Sequence, residues 1–214
     1  MSSPSPTPAA PTLLPEREAL YPLFLKLAGR SVLVVGGGPV AAAKVAALLE
    51  TGAVITVVAP ELRPEILDFA EAGKISVARR CYQASDLVGV WFVVAAAPIE
   101  VNQSVAAAAS SLRLFVLAVD DTSAASAYGA GTFRRGDVTV AVSTNGRAPA
   151  LAGLLREGLE ALLPDDLGAW TEEAVRQRAA WRADGVPMPE RRPQLLAALN
   201  RLYEGRPSGA KVRP

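Results

Sequence analysis

The chain has 214 residues, half of them hydrophobic, with 22 basic and 21 acidic side chains and a net charge of +1. That length and apolar content are enough for one main buried core with an appendage and exclude a disordered chain, while the balanced charge gives no global field to gather nucleic acid or an anionic membrane. A single cysteine, Cys81, excludes an internal disulfide, and the lack of any histidine excludes a catalytic histidine or a His-ligated metal site, so no metal ligands are assigned.

Residues 1–16, MSSPSPTPAAPTLLPE, are rich in Ser, Pro, Thr and Ala and carry no charge before Glu16, which predicts a disordered tail. There is no basic stretch followed by an apolar segment here, and no apolar run nears the roughly 18 to 20 residues of a membrane span, so the cytoplasm is the expected location. From about Tyr21, within a first domain assigned to 17–119, strands and helices alternate. Ser31–Val35 reads as a buried strand, Val40–Glu50 as a helix, Val54–Ala59 as a strand and Glu61–Ala72 as a helix. Strands at Ile75–Ala78 and Val90–Ala96 follow, then a helix over Ile99–Ser111 and a strand over Phe115–Val119. Alternation of this kind predicts an α/β fold, a Rossmann-like parallel sheet with helices on both faces.

After Asp120 the rhythm changes. A loop rich in Ser, Ala and Gly runs through Phe133, Arg134, Arg135 and Gly136 to one further strand, Val138–Ser143, expected to pair outside the parallel sheet and to serve as a dimer contact within a small central segment, 120–148. From Pro149 a C-terminal helical domain, 149–205, begins. Leu151, Leu154, Leu155, Leu159 and Leu162 recur at spacings of three and four, predicting a helix whose apolar stripe is core, with Pro149 in its first turn. A second helix is predicted over Leu167–Ala183 and a third over Arg191–Tyr203, separated by the breaker GVPMPE, with 206–214 as a flexible tail.

The residues Gly36, Gly37, Gly38, Pro39, Val40 and Ala41 fit the pattern GxGxxA between a predicted strand and a predicted helix. In that setting the first glycine makes the sharp turn, Gly38 leaves room for a pyrophosphate against the backbone, and Ala41 lets the helix pack closely on the strand. Free N–H groups at the start of the helix then face the anion. The ligand read from this is a dinucleotide; the competing reading is a tight glycine turn with no ligand. The acidic residue expected at the end of the second strand to read the ribose hydroxyl would be Glu61, which lies late and behind Pro60, so NAD and NADP stay open and backbone groups around Ala59 are candidates to hold the ribose.

Ligands of such sheets sit beyond the carboxyl ends of the strands, where AAAPIEVN (95–102), VDDTS (119–123) and STNGR (143–147) arrive. The cofactor candidates are therefore Gly36, Gly37, Gly38, Pro39, Val40, Ala59, Pro60, Glu61, Ala96, Ala97 and Asn102. Asp120 is the candidate to accept a proton while hydride leaves for a nicotinamide, with turn and capping chemistry as its competing role. Arg134, Arg135, Arg147, Arg156 and the arginines of the C-terminal helices suit a polyanionic small molecule if they face the cleft, and are otherwise solvated surface charges.

In the order YPLFLKLAGRSVLVVGGGPVAAAK, AAAPIEVNQSV, LAVDDTSAAS and VTVAVSTNGRAPALAGLLREGLEALLP, residues 21–168 resemble the precorrin-2 dehydrogenase and sirohydrochlorin ferrochelatase family, which includes the N-terminal region of siroheme synthase. The resemblance implies oxidation of precorrin-2 to sirohydrochlorin with NAD as hydride acceptor, on a homodimer. It places the key aspartate on Asp120, which in bifunctional members is also implicated in inserting ferrous iron. An eight-carboxylate tetrapyrrole would account for the arginines, with Ser143, Thr144, Asn145, Gly146 and Arg147 shaping its pocket. This chain departs from the family pattern at Ala43, at Leu117 and over 127–132, all on the substrate side, and methylation, the task of a further domain in fused siroheme synthases, is not expected of these residues. Two alternatives to the enzyme are a dinucleotide-sensing regulatory module without turnover and a cofactor-free dimer.

Overall fold

The computed structural model describes residues 19–119, 121 and 123–202. The expected tails, 1–16 and 206–214, and Asp120 lie outside the described residues. The first part of the chain runs β1 (Ser31–Val35), α1 (Pro39–Leu49), β2 (Val54–Val58), α2 (Pro64–Glu71), β3 (Ser76–Ala78), a 3-10 turn (Ala84–Leu87), β4 (Phe92–Ala95), α3 (Ile99–Ser111) and β5 (Val116–Ala118). The five strands form one parallel sheet in the order β3-β2-β1-β4-β5.

Its strands are almost continuously apolar because both faces are covered. On one face, Val32 and Val34 of β1 pack with Ile55, Val57 and Val94 under Ala41 and Val45 of α1 and Ile66 of α2. On the other, Leu33 and Val35 pack with Val58, Val93 and Val116 under Val105 and Ala109 of α3 and Leu87. Side chains of such size contribute about 1.5–3 kcal/mol each when fully buried, so the two-layer core accounts for the order of this part of the chain. In register, Val35 stands opposite Val58 on one side and Ala95 on the other. β1 lies between β2 and β4, so the strand order reverses at this place and leaves a crevice at the carboxyl ends of β1 and β4.

The second part is a hairpin, β6 (Gly131–Arg135) and β7 (Val138–Val142), followed by α4 (Pro149–Leu162), α5 (Leu167–Ala183) and α6 (Met188–Arg201). α4 packs on both hairpin strands, α5 on β7, and α6 on α5. A Cβ at Gly131 would stand 3.2 Å from the Ala152 carbonyl oxygen, which lets β6 lie close under α4. Trp181 is buried between the last two helices and its Nε1–H donates to Gln194 Oε1 at 2.7 Å. Across the surface between the two parts, Arg134 on β6 pairs with Glu50, just past α1, at 2.8 Å.

The segment around Phe133 is a strand rather than a loop. Gly136, with φ +56°, and Asp137 turn the chain so that Gly131–Arg135 pairs antiparallel with Val138–Val142, clear of the parallel sheet. The helix expected from Glu61 starts at Pro64, because the Ala59–Arg63 stretch is held against the glycine turn. The third C-terminal helix starts at Met188 and not at Arg191, since Pro189 falls in a first turn, where its missing N–H is no loss, and Pro193 is carried inside. Tyr203, its expected last residue, lies outside the described residues. The leucine stripe of α4 is not core in this chain: Leu154 is 66% and Leu162 81% exposed, and Leu151, Leu155 and Leu159 are exposed too. Its helical spacing is real, but the face points away from the hairpin, where Ala152 is the buried contact.

Candidate functional site

The crevice is built first from the glycine turn. Gly36 has φ +125°, a left-handed value that glycine adopts freely, and its N–H donates to the Val58 carbonyl at 3.0 Å. A Cβ there would lie 2.1 Å from the carbonyl oxygen of Ala96, and one at Gly37 would lie 1.9 Å from that of Glu61. Both positions thus exclude any side chain. At Gly38 a Cβ would meet nothing within 4 Å, so this glycine faces open space. Gly38 caps α1 with extended backbone and no side-chain cap, and Pro39 occupies the first turn. The N–H groups of Val40 and Ala41 have no acceptor within the helix, and the positive end of the helix dipole adds to them. Ala41 is fully buried against the sheet. These residues fit the diphosphate of a dinucleotide: the room lies at Gly38 and the donors surround it.

The walls come from the exits of β2 and β4. Ala59 is buried, and its N–H donates to the Ala78 carbonyl at 3.2 Å. Pro60 and Glu61 are exposed; the backbone of Glu61 abuts Gly37, while its carboxylate makes no hydrogen bond among the described residues. Arg63 N–H donates to the Gly37 carbonyl at 3.0 Å, closing the loop onto the turn. On the other wall, Ala96 N–H donates to Val35 O at 2.8 Å and Ala97 N–H to Asn102 Oδ1 at 3.0 Å. Asn102 is 2% exposed and its Nδ2 donates to Val119 O at 3.3 Å, so it joins the exits of β4 and β5 from below.

At the exit of β5, Val119 N–H donates to Ala95 O at 2.9 Å. Asp120, the candidate proton acceptor, lies outside the described residues. Its neighbour Asp121 is buried, and Oδ1 accepts from Ser123 Oγ at 2.5 Å, Ser123 N at 3.0 Å and Ala124 N at 3.2 Å, while Oδ2 meets no hydrogen-bond criterion among the described residues, although Gln103 lies close enough to help hold the carboxyl low. The Ser123 hydroxyl, helped by those amides and opposed by desolvation, holds the Asp121 carboxyl below its ordinary range. A groove runs beside it between α3 and the β5 exit, lined by Gln103, Ala107, Phe115, Ser123 and Ser126 among others.

Residues 143–147 form a turn ahead of α4. Ser143 Oγ accepts from Asn145 N at 3.1 Å and Thr144 Oγ1 from Ala148 N at 3.2 Å, while Asn145 and Gly146 have φ +55° and +72°. Arg147 is exposed. Among the described residues no hydrogen bond or ion pair joins this turn to the glycine turn, whereas backbone approaches and hydrogen bonds bring 36–37, 59–61, 96–97 and 102 together. Two contributors escaped the sequence reading. Arg63 precedes Pro64, and a proline suited to a first helical turn was the signal that the residue before it caps a helix beside the glycines. Lys44, half-buried on α1, has its Nζ 3.4 Å from where a Gly129 Cβ would lie, next to Leu117; nothing local in the sequence pairs these segments.

Comparison with known proteins agrees with this geometry. A family model described as putative NAD(P)-binding matches residues 23–129, half of the chain, and one described as sirohaem biosynthesis protein central matches 135–162. Siroheme synthase 3 of Aeromonas hydrophila subsp. hydrophila is 44% identical over 172 residues, 80% of this chain and 37% of its own. Siroheme synthase of Neisseria meningitidis serogroup C is 41% identical over 173 residues, 80% of this chain and 36% of its own. The chain thus spans about two fifths of the length of these curated relatives. A solved structure titled SirC, precorrin-2 dehydrogenase superimposes with a TM-score of 0.66 at 28% identity, covering 86% of this chain and 92% of that one.

Proposed function

The chain belongs to the family described as putative NAD(P)-binding, and from that premise we propose that it is a precorrin-2 dehydrogenase of the siroheme-synthase type, oxidising precorrin-2 to sirohydrochlorin in siroheme biosynthesis with NAD as cofactor. The observation that carries this reading is the crevice at the strand reversal, where Gly36 and Gly37 admit no Cβ while Gly38 stands open beside unpartnered helix amides. The N–H groups of Val40 and Ala41 hold the diphosphate, and the backbone of Ala59, Pro60 and Glu61 lies along the ribose. Ala96 and Ala97 form the opposite wall, kept in place by Asn102. NAD, when bound, supplies the hydride acceptor. Asp120 takes the proton that the macrocycle releases, and Ser143–Arg147 receive its carboxylates.

Three finer assignments belong to the same reading. We assign 17–119 to the cofactor, 120–148 to dimerisation and 149–205 to a helical domain. A homodimer is supported by the exposed leucines of α4, which a second copy would cover. Ferrous iron is the proposed second substrate, inserted into sirohydrochlorin with Asp120 removing pyrrole protons. The cytoplasm is the proposed site of action; among the described residues no helix is long and apolar enough to cross a membrane.

Purified protein given precorrin-2 and NAD is expected to form NADH and sirohydrochlorin together, with Asp120→Ala abolishing both. No NADH above background would reject the enzyme, and tight NAD binding without turnover would favour the sensing module instead. Metal insertion no faster with protein than without it would remove the iron assignment alone.

A further inference from the structure

The exit of β5 is fastened on both sides of the candidate proton acceptor, with consecutive residues of α3 at the two fastenings. On the near side, Val119 N–H donates to Ala95 O at 2.9 Å and Val119 O accepts from Asn102 Nδ2 at 3.3 Å. On the far side, Asp121 is 6% exposed, and its Oδ1 accepts from Ser123 Oγ at 2.5 Å, Ser123 N at 3.0 Å and Ala124 N at 3.2 Å. Gln103, next to Asn102 on α3, lies close enough to share that carboxyl. The helix thus reaches residue 119 through Asn102 and residue 121 through Gln103, and Asp120 is the one residue between them in sequence.

Turn capping alone does not call for this arrangement. An aspartate that closes a turn ordinarily does so at the surface, where water solvates whatever the turn leaves over. Here the carboxyl is withdrawn from water, and burying a charged group costs free energy that its hydrogen bonds must offset. Asn102, 2% exposed, also accepts the Ala97 N–H of the cofactor wall. One polar cluster therefore ties together that wall, the end of β5 and the turn at Asp121. A proton acceptor works only within hydrogen-bond reach of the group that it deprotonates, and a misplacement of about 1 Å can cost about a hundredfold in rate.

We propose that Asp121 is a positioning residue for the oxidation: with Asn102 it clamps the β5 exit from both sides, sets where the Asp120 carboxylate stands, and touches neither precorrin-2 nor NAD itself. The proposal rests on the reading of Asp120 as the proton acceptor. Steady-state oxidation of precorrin-2 by the full chain, with NAD affinity measured alongside by titration, tests it. Asp121→Ala is expected to lower kcat about tenfold or more while NAD affinity and the KM for NAD stay within about twofold, because the glycine turn and its walls are untouched. Asp121→Asn keeps an oxygen for Ser123 and Ala124 and is expected to bring kcat back to within about threefold of the parent. Ser123→Ala removes only the hydroxyl bond and is expected to lose about threefold in kcat, so it carries the test if Asp121→Ala does not fold. A kcat within about twofold of the parent in folded Asp121→Ala, or an unchanged kcat in Ser123→Ala where that variant does not fold, overturns the clamp and leaves Asp120 as the acceptor. A fall in NAD affinity as large as the fall in kcat overturns it too, since the residue would then support the whole crevice. Full activity in Asp120→Ala overturns the acceptor reading and this inference with it.

Discussion

The parallel-sheet part of the molecule and its hairpin-and-helix part spend their apolar residues differently. In the first, the aliphatic side chains of β1 and β4 and most of those of β2 are below a few per cent exposure; in the second, the leucines of α4 stand in solvent while a small residue, Ala152, makes the buried contact. The sheet closes its own core. The hairpin and its helices have an apolar face left over, so their stability is tied to what else meets that face. The cofactor crevice is assembled wholly from the self-sufficient part.

The sharpest way to break this contrast lies at the glycine turn. Gly36→Ala combines left-handed backbone with a methyl 2.1 Å from the Ala96 carbonyl oxygen, and is expected to lose about 3–5 kcal/mol in urea unfolding. Gly38→Ala meets nothing in the folded chain, so it should change stability by less than about 1 kcal/mol while weakening dinucleotide binding about tenfold or more, since its methyl takes the room of the diphosphate. Equal losses of stability at both positions would refute the distinction.

Next in size is a pair of leucines. Leu33→Ala, in the sheet core at 1% exposure, is expected to lose about 2–5 kcal/mol. Leu154→Ala, 66% exposed, should stay within about 0.5 kcal/mol for the monomer. If a second copy covers α4, Leu154→Glu with Leu162→Glu will lower the sedimentation coefficient to that of a monomer. A third test is Asn102→Ala, which leaves the Ala97 N–H and Val119 carbonyl without their partner and is expected to lose about 1–3 kcal/mol.

The smallest effect is one of pH. Asp121, held low by the Ser123 hydroxyl, and Asp86, held low by the Arg80 guanidinium, both have folded-state values below their unfolded ones. Their stabilisation is therefore fully present above the usual carboxylate range and is lost as pH falls through it. Acid titration of Asp121→Asn should show a shallower loss of stability below about pH 4 than the parent chain, whereas an identical slope would show that Asp121 gives nothing through its ionised form.

How far the amino-acid sequence carries follows the same division. The β1–glycine–α1 unit was legible because its requirements are local: an apolar strand, glycines where backbone approaches backbone, and a small residue at the packing point. α3 and α5 match their expected limits for the same reason. β6 was hidden because Phe133 is its single large apolar residue, although Gly136–Asp137 between two short runs was a usable hairpin signal. Prolines 189 and 193 read as a break when the first of them starts a helix. The leucine spacing of α4 gave the helix but not what its face meets, because periodicity reports a face and never its partner. At the site, the turn and the backbone around Glu61 were readable, but the clasp of Asn102 across two strand exits and the approach of Lys44 to Gly129 depend on long-range packing that no local pattern encodes.

The most direct test of the account is calorimetric titration of the purified chain with NAD, run beside Gly38→Val. The account predicts saturable one-to-one binding by the parent, with a raised melting temperature as the ligand is added, and binding lost in a variant that still folds. Equal affinity in both chains, or a melting temperature that NAD leaves unmoved, would contradict it.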